Sequence, residues 1–73
     1  MNKFKKVWKK INLNDKFMFV SPTTEYFTHG KMYWVTEYVE DIPAETMSVF
    51  FTDDEGHSHE IDEKYLDKHF KKH

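Results

Sequence analysis

Seven carboxylates crowd one short stretch of the chain: Glu37, Glu40, Asp41, Glu45, Asp53, Asp54 and Glu55. Carboxylates at this density have two uses. Scattered, they keep a small domain soluble, which asks nothing of their arrangement. In rows, they imitate a phosphate backbone, draw a basic partner over a long range and speed encounter with it. The five histidines offer a second chemistry, metal binding. His57 and His59 alternate as on one face of a strand, and His69 and His73 are spaced as on one face of a helix. Zinc needs three or four convergent ligands, often with cysteine. Two separate pairs in a cysteine-free chain fall short of that, so no metal or other cofactor is expected. Catalysis has less support still. Gly30 and Gly56 are the only glycines, so no phosphate-cradling loop exists, and no Ser sits in a nucleophile motif. The expectation is a protein that binds a partner, not an enzyme.

The net charge of -2 hides the distribution that matters. Residues 1–16 carry +5, residues 17–63 carry -10, and residues 64–73 carry +3. The middle is strongly acidic and both ends are rich in Lys. Every basic residue is Lys. Arg is the preferred bidentate reader of phosphate and guanine, so its absence counts against sequence-specific nucleic-acid recognition. An AT-rich coding sequence would leave the same mark. The Lys-rich ends keep an alternative open, a nucleic-acid-binding accessory protein whose affinity falls steeply with salt.

These 73 residues suffice for one domain, divided into a basic segment over 1–16 and a folded body over 17–73. Without disulfides, a core this small must rely on large side chains, and 18% of the residues are aromatic. Lack of Cys fits a reducing cytoplasm. The apolar runs 17–20 and 49–51 are far shorter than the ~20 residues of a membrane span. No membrane association is expected, and the basic start has no apolar stretch behind it to act as a secretion signal.

The elements that must position these groups follow from periodicity. Phe4, Val7, Trp8 and Ile11 recur at helical spacing and predict a short amphipathic N-terminal segment, with a short strand as the competing reading. Strands are predicted over 17–20, 31–39, 46–52 and 57–61. Turns are predicted at Ser21-Pro22, at His29-Gly30, over 41–45 and at Asp53–Gly56. Asp62 is placed to cap a last helical turn, with Glu63 in its first turn and Lys68, Lys71 and Lys72 at its far end. The expected class is mainly β, a small barrel closed by that helical turn. If Tyr33, Val35 and Val39 pack with Met47, Val49 and Phe51, then Trp34, Tyr38 and Phe50 face outward. Exposed aromatics at the centre of a patch serve as binding anchors. They could equally seat a homodimer, or lie beneath the N-terminal stripe as ordinary core.

Three stretches carry a resemblance: Phe27-Thr28-His29-Gly30-Lys31-Met32-Tyr33-Trp34-Val35, the run from Val49 to Ile61 around Asp53-Asp54-Glu55-Gly56, and Tyr65-Leu66-Asp67-Lys68-His69-Phe70. Together they resemble small SH3-like proteins encoded by tailed phages of low-GC Gram-positive bacteria. The resemblance spans roughly residues 17–70 and omits the basic segment 1–10. It implies an SH3-like barrel working in the cytoplasm of an infected host cell. Some members of that group bind and disable a host machine. For this acidic chain the resemblance implies a host replication protein as partner, with the DNA polymerase sliding clamp foremost. The inhibitor would fill the clamp's DNA-binding channel with acidic surface, using the seven carboxylates together with Trp34, Tyr38 and Phe50.

Overall fold

The computed structural model of the protein describes residues 11–73. Six strands and one helix follow in the order β1 (Lys16–Phe19), β2 (Met32–Trp34), β3 (Glu37–Asp41), β4 (Thr46–Thr52), β5 (Ser58–Asp62), α1 (Glu63–His69) and β6 (Phe70–Lys72). They form two three-stranded antiparallel sheets, ordered β2-β1-β6 and β3-β4-β5. The mainly β expectation holds. The SH3-like barrel does not close, because no ladder joins the two sheets among the described residues. The predicted N-terminal segment, with Phe4, Val7 and Trp8, lies outside the described residues.

The strand predicted over 31–39 is broken. Val35 belongs to the first sheet: its N–H donates to the Asp15 carbonyl at 2.9 Å and its carbonyl accepts from the Asn14 N–H at 2.8 Å. Thr36 belongs to the second sheet, where its N–H donates to the Phe50 carbonyl at 2.9 Å. The chain turns a corner between them, and the alternation of faces shifts phase. Tyr33 and Val35 are buried, and the next side chain packed on the core is Tyr38, not Val39. Val39 lies on the outside.

Phe17, Phe19, Phe27, Tyr33, Phe51 and Phe70 make the centre of the core, joined by Val35, Met47, Val49, Ile61 and Leu66. The rings meet edge-on or tilted: Phe51 to Phe70 at 4.8 Å, Phe27 to Tyr33 at 5.0 Å and Phe19 to Phe70 at 5.1 Å. Such geometries suit the ring quadrupoles and add about 1 kcal/mol per pair beyond area burial. Asp62 caps α1 as expected, its carboxylate accepting from the Tyr65 N–H at 2.8 Å, and Leu66 is the helix's buried anchor. Phe70 does not continue the helix. It opens β6, which pairs with β1 in the register Phe19↔Phe70 and closes the first sheet. No helix among the described residues is long and apolar enough to cross a membrane.

Candidate functional site

Charge divides between the two sheets. Strands β1, β2 and β6 hold Lys16, Lys71 and Lys72 and no acid. Strands β3, β4 and β5 hold Glu37, Glu40, Asp41, Glu60 and Asp62 and no Lys. Directly paired residues of an antiparallel sheet share a face. The pairs Tyr38↔Val49 and Val49↔Ile61 point to the core, so Glu37↔Phe50 and Phe50↔Glu60 form a row across the outer face. In it a half-buried Phe50 is flanked on each side by an exposed carboxylate. The next row is Val39, Ser48 and Asp62, and Asp41 beside Thr46 follows on the same face. Since neighbouring strands lie about 4.8 Å apart, the two flanking positions are about 10 Å apart across the aromatic ring.

Glu37, Asp41 and Phe50 are therefore brought together, and the sheet adds Glu60 and Asp62, which the sequence reading left out. Their signal was available: with His59 and Ile61 on one side of the return strand, alternation assigns Glu60 and Asp62 to the other. Glu40 shares the opposite side of β3 with Tyr38. Burial first, then the nearby Glu40, hold the Tyr38 hydroxyl above its ordinary pKa. Tyr38 is thus part of the core margin and not the outward anchor expected of it. Trp34 is half exposed, as expected, but it stands on β2 of the other sheet, paired with Lys16. Glu45 occupies the β3–β4 turn in the left-handed region at φ 56°.

Asp53 and Asp54 serve the fold instead of the surface. Asp53 is buried, 5% exposed. Its carboxylate accepts from the N–H groups of Glu55 at 2.8 Å and His57 at 2.9 Å, and lies 2.6 Å from His59 Nε2. Burial opposes its ionisation, yet the bonds from His57, His59 and Glu55 outweigh burial and hold its pKa below the ordinary value. Asp54 clamps the β4–β5 hairpin onto the loop between β1 and β2. Its oxygens take Lys31 Nζ at 2.7 Å, the Thr28 hydroxyl at 2.6 Å and the Tyr33 hydroxyl at 2.7 Å, and its N–H donates to the Tyr26 carbonyl at 3.0 Å. Lys31 foremost, with Thr28 and Tyr33, lowers its pKa to about 2. Lys31 is the one Lys of the acidic middle segment, and this clamp engages it. Of the predicted hairpin trio, Asp53 is buried, and Asp54 and Glu55 are exposed, Asp54 being held by the clamp just described.

The histidines are dispersed. His59 is seated against Asp53 and the Tyr26 ring at 4.7 Å, while His69 Nδ1 lies 2.6 Å from the Ser21 hydroxyl, with the Tyr65 ring tilted against the imidazole at 4.2 Å. Among the described residues no three His, Cys, Asp or Glu side chains are arranged to hold a metal ion. Comparison with protein-family models, with curated proteins and with solved structures finds no match to this chain.

Proposed function

We propose that this chain is a phage-encoded inhibitor that binds a host DNA-replication protein, the DNA polymerase sliding clamp, and keeps DNA from its channel. The observation that carries the reading is the outer face of the β3-β4-β5 sheet. There Glu37, Phe50 and Glu60 form a row, on strands with five acids and no Lys. A basic channel meets charge there from both flanks of an apolar anchor, a composition that suits long-range steering followed by local burial. The motif resemblance to phage SH3-like proteins, and in size and acidity to the clamp inhibitor of phage Twort, supplies the choice of partner. The carboxylates that matter are then Glu37, Asp41, Glu60 and Asp62, with Asp53 and Asp54 acting only through the fold.

The test is binding of the purified chain to an immobilised clamp from a Gram-positive bacterium, across a salt series. Glu37→Lys with Glu60→Lys should weaken binding at least tenfold, since like charges then face the channel. Unchanged affinity removes this face from the mechanism. Retention of DNA by the wild-type chain, without the clamp, would favour the nucleic-acid-binding alternative through the Lys-rich ends.

A further inference from the structure

The first sheet has an outer face of its own, and its composition mirrors that of the acidic row. The pairs Phe17↔Tyr33 and Phe19↔Phe70 point to the core. The alternate positions therefore lie outside, with Trp34 beside Lys16, and with Met32, Met18 and Lys71 in one row across all three strands. Lys16, Trp34 and Lys71 are exposed and both Met side chains are half-buried. Trp34 leaves 50% of its surface in water. The acids closest in sequence and space are engaged elsewhere: Asp15 by Lys72 at 3.3 Å, and Asp54 by Lys31 at 2.7 Å. One molecule thus presents two faces, each three strands wide. One sets Lys around a centre of Met and Trp; the other sets carboxylates around Phe50.

We propose that the basic face of one copy docks on the acidic face of a second copy of this chain. Lys16 and Lys71 then meet Glu37 and Glu60, while Phe50 packs on Met18 and Met32, a favourable contact of ring and thioether. Like faces do not pair, because carboxylate would meet carboxylate or Lys would meet Lys. The two docking surfaces differ, so the contact is head to tail. It builds rings or open chains, not a two-fold symmetric dimer. The acidic row is the face assigned above to the clamp, so this inference, resting on that reading, adds a control to it. A copy whose row is covered by a neighbour cannot engage the clamp, and self-association holds the inhibitor in reserve at high concentration.

Sedimentation velocity of the purified full chain, without any clamp, tests self-association apart from clamp binding. The mean mass should rise with concentration at low salt, pass beyond the dimer, and return to the monomer at high salt. Lys16→Glu with Lys71→Glu should weaken self-association at least about tenfold, and so should Glu37→Lys with Glu60→Lys. Mixing the two variants should restore a complex, since the unchanged acidic face of one meets the unchanged basic face of the other. A wild-type chain that stays monomeric at low salt, or stops at a dimer, would overturn the proposal. So would association that both folded variants retain, or a mixture of folded variants that stays monomeric. Thermal melts establish that each variant folds, and the wild-type series decides by itself should one not. The clamp reading fails separately, if the wild-type chain self-associates through these faces and the immobilised clamp does not retain it.

Discussion

The Asp54 carboxylate and the Tyr33 hydroxyl meet at 2.7 Å, and this contact ties the tip of one sheet to the core of the other. Tyr33 donates to Asp54 and its oxygen also accepts from the Thr28 N–H at 2.8 Å. One phenol thus orders both the hairpin and the loop before β2.

Removing that charge should show in the pH dependence of stability. The Asp54 pKa falls from 3.8 to about 2 on folding, so its contribution is complete above pH 3.8 and is lost as pH drops toward 2. Asp54→Asn should lower the thermal midpoint at neutral pH by several degrees, about what a weakened charge-assisted network costs a domain of this size. The gap between variant and wild type should close between pH 3.8 and about 2. Thermal melts across this range read both effects, and a gap independent of pH would contradict the assignment.

Asp53→Ala should be the more damaging carboxylate substitution. It leaves the N–H groups of Glu55 and His57 and the His59 ring without their shared acceptor. The thermal midpoint should fall further than in Asp54→Asn. Glu55→Ala, at the exposed tip, should change it by less than about 0.5 kcal/mol equivalent.

Glu45 offers a gain. Its φ of 56° is a conformation that costs a side chain with Cβ about 1 kcal/mol, and Gly escapes that cost. Glu45→Gly should raise stability by up to that amount in urea unfolding, less the added flexibility of the unfolded chain. A loss of stability would mean that the added freedom of the unfolded chain outweighs the relieved strain, since the turn bonds from the Ala44 N–H to Asp41 and from the Glu45 N–H to the Ile42 carbonyl survive the substitution.

Phe51→Ala should abolish folding. Phe51 is fully buried and meets Phe17 at 5.7 Å, Tyr33 at 6.3 Å and Phe70 at 4.8 Å. Truncating a core Phe costs about 3–5 kcal/mol, comparable to the whole stability of so small a domain. Loss of chemical-shift dispersion in an NMR spectrum would register it. Phe50→Ala, one residue away on the outer face, should keep the dispersion and, under the proposed function, weaken binding to the clamp.

Local rules made much of this fold legible. The 46–52 strand, the Asp53–Gly56 turn and the Asp62 cap all follow from alternation, Gly placement and side-chain capping, and each stands where the spacing puts it. Non-local pairing decided the remainder. Nothing in Tyr33–Val39 marks the corner at Val35-Thr36, since β-branched and aromatic residues suit a straight strand equally well. The phase slip there exchanged Tyr38 and Val39. Phe70-Lys71-Lys72 continues a helical pattern until β1 offers it a ladder. Asp53 and Asp54 read as solvated turn acids because a sequence shows charge without showing which donors will converge on it. The acidic row was half legible: Glu37, Asp41 and Phe50 were in view, while Glu60 needed the hairpin register.

The first sheet has a consequence for synthesis. It is assembled from Lys16–Phe19, Met32–Trp34 and Phe70–Lys72, so its middle strand finds one neighbour early and the other only after α1. A nascent chain emerging from the ribosome can complete the β3-β4-β5 meander by local hairpins. It cannot seal the aromatic centre until Phe70 arrives, because Phe70 touches Phe19, Phe27, Tyr33 and Phe51. Such long-range closure slows folding. Until then those rings remain open to chaperones and to neighbouring chains, so the late arrival of one phenylalanine sets the interval in which the protein is most vulnerable to aggregation.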